Sequence, residues 1–190
     1  MAVEKSPVAW ALTPLRKYAV FSGRAPRAEF WWFTLFVILS YVAVWFLLIG
    51  SIGGMAASGA EPSVGMFGAL GAGMIFVMLF WLVLLVPSIA VQNRRLHDTN
   101  RSGWWLLAYY ILYIAYMVLS FSAVAAVGLD PTAPADSSLG MLGLSMILGV
   151  VVFIYTIVLL VFWCLPGTPG PNNYGPDPYG AHDNLETVFS

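Results

Sequence analysis

Long apolar runs broken by short polar segments organise this chain. Four stretches carry no Asp, Glu, Lys, Arg or His: Phe30 to Ala60, Pro62 to Asn93, Ser102 to Leu129 and Ser137 to Pro176. A helix needs about 20 consecutive apolar residues to cross a bilayer, and each stretch supplies them. Helical spans are predicted near residues 30–50, 68–91, 104–127 and 140–164. A helix satisfies its own backbone hydrogen bonds in lipid, whereas the alternation of a membrane barrel is absent here. The expected fold is an all-α integral membrane protein in three parts. Residues 1–29 form an N-terminal segment, residues 30–165 a four-helix transmembrane domain, and residues 166–190 a Pro/Gly-rich tail.

Composition agrees with this pattern. Hydrophobic residues make up 60% of the chain and charged residues 9%, with a mean hydropathy of +0.83. A soluble domain of this length needs more polar residues to cover its surface. A cleavable signal peptide is the alternative reading of the first span, with "MAASGA" (55–60) as its cleavage site. The polar lead before Phe30 and the length of the apolar run favour a retained span. The single cysteine, Cys164, can form no internal disulfide and reads as a packed helix residue.

The placement of charge changes the picture more than its amount. The basic residues are Lys5, Arg16, Lys17, Arg24 and Arg27 before the first span, and Arg94, Arg95 and Arg101 between the second and third. The two other loops hold only Glu61 and Asp130 with Asp136. Loops rich in Lys and Arg stay in the cytoplasm, which predicts that both termini and the 93–103 loop are cytoplasmic. Trp31, Trp32, Trp104, Trp105 and Trp163 then fall near that interface, where amphipathic rings prefer to sit. "WALTPLRKYAVF" (10–21) mixes apolar and basic residues and reads as a short interfacial helix, with a solvated arm as the alternative.

Three segments meet on that face: "FSGRAPRAEFWWF" (21–33), "NRRLHDTNRSGWW" (93–105) and "PGTPGPNNYGPDPYG" (166–180). In the first, Pro26 suits an opening helical turn and Glu29 lies near the positive end of the helix dipole. The third is too rich in Pro and Gly for helix or strand and is expected to cap the other two. The blocks "FSGRAPRAEFWWF", "RRLHDTNRSGWW" and "GPNNYGPDP" resemble the signature blocks of the bacterial inner-membrane family known as domain of unknown function 805. The resemblance covers roughly Trp10 to Pro178. It implies a small four-helix protein of the inner membrane and brings no established activity.

The candidate chemistry is therefore argued from side chains. Arg27, Glu29, Arg94, His97, Asp98 and Asp177 are the candidate structural charge cluster, and Asn172, Asn173 and Tyr174 the candidate cap contacts. If the second helix continues past the membrane, Arg94 faces Asp98 one turn on, while Arg95 projects about 100° away. Arg24, Arg95 and Arg101 are then the candidate site for an anionic lipid head group or a phosphate. Arg101 precedes the third span, whose free N–H groups favour an anion, and Ser102 is its expected cap.

The expected function is a non-catalytic module that binds an anionic lipid head group or a protein partner through this face. A channel for a neutral solute is the alternative. It rests on Tyr109, Tyr113, Tyr116 and Ser120, which line one helix face and are otherwise expected to bond Thr34, Ser40, Ser145 or Thr156. An enzyme using His97 and Asp98 is the lesser reading, since Ser102 near His97 reads better as a helix cap than as a nucleophile, and adjacent helical residues diverge too far for a shared metal site. No metal or other cofactor is expected. Candidate partners are membrane lipids, another membrane protein or a second copy of the chain, and nucleic acid is not among them. Ala69 with Gly73, and Ser145 with Gly149, predict close helix packing.

Overall fold

A computed structural model describes residues 6–57, 63–129 and 135–179. Five helices follow one another: α1 (Pro7–Arg16), α2 (Arg27–Ala57), α3 (Val64–Asp98), α4 (Trp104–Leu129) and α5 (Ala135–Cys164). The last four are long and apolar enough to cross a membrane, as their sequence predicts. Glu61, Asp130, His182 and Lys5 lie outside the described residues, as does the "SGA" end of "MAASGA".

Each helix start follows from its sequence. Ser6 caps α1, its Oγ accepting from the Ala9 amide, and Pro7 occupies the first turn, where its missing N–H costs nothing. Ser63 caps α3 in the same way through the Met66 amide. The first turn of α4 closes on the Ser102 and Gly103 carbonyls. Pro26 stands one residue before α2, and its carbonyl accepts from Phe30.

α3 decides the architecture. Its 35 residues span roughly 50 Å at 1.5 Å per residue, against a hydrocarbon core of about 30 Å. The helix therefore runs unbroken past the apolar layer and carries Arg94 through Asp98 on its final turns. It stops in a Schellman turn. Asn100 takes the left-handed conformation at φ 58°, its N–H bonds the His97 carbonyl, and the Arg101 N–H bonds that of Leu96.

α3 also contains Pro87, which removes the donor that would bond the Val83 carbonyl. Tyr18, in the link between α1 and α2, donates its hydroxyl to that carbonyl at 2.8 Å. The Ser88 hydroxyl donates to the neighbouring Leu84 carbonyl at 2.6 Å. A backbone defect thus becomes the anchor that ties the α1 segment to α3.

The helices pack as two pairs, α2 with α3 and α4 with α5, while α1 lies against α2. At Gly73 an added Cβ would stand 2.8 Å from the Leu48 side chain, and at Gly149 3.1 Å from the Tyr116 ring. Both glycines therefore admit a close neighbour, as their sequence setting predicts. Tyr109, Tyr113 and Tyr116 stack along α4, Tyr109 meets Tyr155 of α5, and the Thr156 hydroxyl lies 3.4 Å from that of Tyr109. Thr34, Ser40 and Ser145 instead bond carbonyls of their own helices. Cys164 is exposed, not packed as its helical setting suggested, because Phe162 and Trp163 take the packed side of that last turn.

Candidate functional site at the arginine-rich end

The chain from Gly23 to Glu29, the end of α3, and the turn after α5 converge at one end of the bundle. Asp98 is the hub. Arg24 Nε donates to Asp98 Oδ1 at 2.9 Å, and Arg95 Nη1 donates to Asp98 Oδ2 from within α3. Both guanidiniums also bind carbonyls at the end of α5 or in the turn that follows it. Arg24 donates to Gly170 and Thr168, each at 2.6 Å, and Arg95 to Leu165 and, at 3.1 Å, to Trp163. Arg27 Nε adds a bond to the Leu165 carbonyl at 3.0 Å. A loop without secondary structure leaves its carbonyls unpaired, and three arginine forks satisfy them.

The expected pairing of Arg94 with Asp98 does not form. Arg94 Nη1 lies 2.7 Å from Glu29 Oε1, and both side chains are buried. Lys17 Nζ approaches the other Glu29 oxygen at 3.8 Å. Adjacent residues on a helix diverge by about 100°, so Arg94 and Arg95 must serve opposite sides of α3. Arg95 takes the side of the α5 turn and Asp98; Arg94 takes the side of α2. The Arg94–Glu29 contact is poorly aligned for a hydrogen bond, and Arg94 Nε and Nη2 find no acceptor among the described residues. Coulomb attraction in a dry setting holds this pair.

His97 serves as a joint. Its Nδ1 stands 3.2 Å from the Gly23 carbonyl and its Nε2 3.3 Å from the Asn93 side-chain nitrogen. A carbonyl can only accept and an amide nitrogen only donate, so the geometry selects the neutral ring with its proton on Nδ1. Tyr174 stacks on that ring at 3.9 Å with an angle of 6° between planes. Both nitrogens and one face are engaged, and the ring presents no free base.

The tail closes over this joint. The Thr168 amide donates to the Asp98 carbonyl at 2.9 Å, and Asn172 Nδ2 donates to the His97 carbonyl at 2.9 Å and to the Thr168 hydroxyl oxygen at 2.8 Å. Asn172 Oδ1 accepts from the Tyr174 amide, and Asp177 accepts from the amides of Gly170 and Tyr179. Asn173 is exposed at the same turn and makes none of these bonds. Arg101 stands apart from Arg24 and Arg95. Its guanidinium lies 4.0 Å over the Phe162 ring, a cation–π contact, with one nitrogen 3.5 Å from the Thr99 carbonyl.

The sequence pattern singles out neither Gly167 nor Thr168, and both touch Asp98. An added Cβ at Gly167 would lie 2.3 Å from Asp98 Oδ2, so only glycine lets the turn rest on the carboxylate. Thr168 is the other, bonded to Asp98 through both its amide and its hydroxyl. The Pro/Gly density of 166–180 was the available signal, since such a segment must find partners for its carbonyls elsewhere.

A polar cavity of about 410 Å³ opens beside the hub. Arg24, Arg27, Arg95, Asp98, Asp177 and Tyr179 line it with the turn from Pro166 to Pro169. Among the described residues no cluster of His, Cys, Asp and Glu is arranged to hold a metal ion.

The inner membrane protein YhaH of Escherichia coli strain K12 is 30% identical over 170 residues, covering 89% of this chain and 95% of that protein. YhaI of the same strain is 30% identical over 171 residues, covering 89% of this chain and 94% of that protein. No solved structure matches the chain. With four helices able to span a bilayer, these relatives make it a multi-pass inner-membrane protein. The family model described as "Protein of unknown function (DUF805)" matches residues 18–176. That match takes in the first two charged segments whole and most of the third, and the chain accordingly belongs to the DUF805 family.

Proposed function

We propose that this protein is a non-catalytic inner-membrane module that keeps its arginine-rich end in the cytoplasm and binds an anionic lipid head group there. The observation that carries the reading is the polar cavity, where three guanidiniums face two carboxylates. One positive charge is left over, and Arg27 supplies it from an exposed position. Arg24 and Arg95 line the same cavity but spend every nitrogen on the protein. They shape the site, and Arg27 is the residue free to meet a phosphate.

The surroundings support head-group depth. Arg16, Lys17, Trp31 and Trp32 are exposed at the same end, a mixture of cations and amphipathic rings suited to a lipid interface. The described Lys and Arg residues all lie between Arg16 and Arg27 or between Arg94 and Arg101, where the start of α2 and the end of α3 meet. This asymmetry supports a cytoplasmic orientation. The partners on this reading are anionic lipids.

Native mass spectrometry of the full chain with phosphatidylglycerol tests the site. Arg27→Gln is expected to lower retained lipid roughly fivefold, the worth of about 1 kcal/mol per basic residue at a lipid surface, while thermal stability, which loses the bond to Leu165, falls far less than in Asp98→Ala. Unchanged retention would overturn the head-group reading. Orientation has its own test, in which a cysteine at position 183 of a Cys164→Ser chain labels only after permeabilisation. External labelling would reverse it.

A further inference from the structure

The helix pairs leave a slot between α3 and α4, consecutive in the chain yet hardly in contact along their length. A cavity of about 550 Å³ runs along it, lined by Trp81, Leu85, Ile89, Leu106, Leu107 and Ile114, with Tyr110 and Tyr113. A second cavity of about 460 Å³ continues it toward the charged end, bounded by His97, Ser102, Trp104 and Tyr174. Phe21, Asn93, Gly103 and Leu107 line both, so the two are one groove. The groove starts among span residues and ends at the polar joint.

We propose that this groove binds a neutral glyceride, with a hydrocarbon chain along α3 and α4 and the glycerol head at Asn93 and Ser102. Polarity changes along the groove as it does along an amphiphile. Each of the two cavities falls within the 300–1,000 Å³ typical of small-molecule sites, and the apolar lining with a few placed polar groups is also typical. The 460 Å³ at the mouth has room for a head larger than a single hydroxyl.

The polar groups at the mouth select the head. No Lys, Arg, Asp or Glu lines either cavity, so an ionic head would gain no counter-charge. Asn93 spends its amide nitrogen on the Phe21 carbonyl and His97, which leaves Oδ1 as an acceptor. The Ser102 hydroxyl can donate. A glyceride offers the matching set, a hydroxyl to give and ester carbonyls to receive. Gly103 lets α4 approach Asn93 at the mouth, where an added Cβ would stand 2.1 Å from Asn93 Oδ1. This site is separate from the arginine cavity and stands or falls without it.

Photo-crosslinking of the full chain in nanodiscs of phosphatidylcholine tests the inference. One probe is a diacylglycerol with a diazirine in its acyl chain, the other a phosphatidylglycerol with the same chain. The diacylglycerol is expected to mark residues 81–93 and 103–114 in preference to other span residues. Leu107→Trp and Ile114→Trp should each cut that labelling roughly tenfold, a loss of about one decade in affinity. Both positions are exposed and tolerate bulk, and Val118→Trp, exposed on α4 outside the groove, should leave labelling unchanged. Labelling spread evenly over the spans, equal or stronger labelling by phosphatidylglycerol, or no effect of the two groove variants would overturn the proposal. So would a disulfide-linked dimer through Leu107→Cys, which would make the groove an interface between copies.

Discussion

The charged end and the membrane-spanning part are held together by different physics. At the charged end Arg94, Arg95, Leu96 and Glu29 are all but inaccessible, with Arg95 hydrogen-bonded through every nitrogen and Arg94 held by its ion pair with Glu29. Along the spans Phe46 and Phe121 are each 76% exposed, and the helices meet as two pairs with an open slot between them. In lipid an apolar side chain gains little by exchanging a hydrocarbon neighbour for another helix, so span packing is replaceable. A desolvated guanidinium has no such substitute. Its loss of a partner costs the full desolvation penalty. The specific contacts of this protein therefore concentrate at its polar end, and the spans are more loosely packed.

The sharpest way to break that contrast is at the hub. Asp98→Ala strands two buried guanidiniums and is expected to cost about 3–5 kcal/mol. Phe46→Ala removes a larger but lipid-facing side chain and should shift thermal stability in detergent very little. Comparable losses from the two would erase the distinction.

Glu29→Gln comes next, because it leaves buried Arg94 with a neutral partner and only a distant one in Lys17. A loss toward the lower end of about 3–5 kcal/mol is expected. The double variant Glu29→Leu, Arg94→Met should recover much of it, since replacing both members of a buried pair by apolar residues is often neutral or better. A double variant worse than either single change would mean that the pair contributes net stability.

Glycines sharpen the comparison at smaller scale. Gly167→Ala drives a methyl into the Asp98 carboxylate and should cost about 1–3 kcal/mol, the usual range for overpacking. Gly53→Ala in α2 meets nothing within 4 Å and should gain stability through better helix propensity. Thermal melts of the two variants in one detergent decide this, and opposite signs are expected.

The smallest effect joins the two regions. Tyr18→Phe removes the hydroxyl that satisfies the Val83 carbonyl and should cost about 1 kcal/mol. In a Pro87→Ala background the helix regains its own donor to that carbonyl, so the cost of Tyr18→Phe should shrink toward zero. A double-mutant cycle with no coupling would show that Tyr18 acts elsewhere.

The sequence by itself determined the helices, their order, and the meeting of segments 21–33, 93–105 and 166–180 at one end. Those properties follow from the length of apolar runs, the parity of four spans and the caps, which act locally or count residues. It also showed which residues would be charged together, and that Arg94 and Arg95 must point apart. Only the tertiary structure decided which acid each one meets. Asp98 is within helical reach of both, three residues from one and four from the other, so spacing could not choose. Glu29 chose, by arriving from α2 on the Arg94 side and leaving Asp98 to Arg95 and Arg24. The bonds to the carbonyls of Leu165, Thr168 and Gly170, the fit of Gly167 against Asp98, and the meeting of Tyr18 with the defect at Pro87 belong to the same class. Each depends on backbone brought together across 65 residues or more, and no local pattern encodes such an approach.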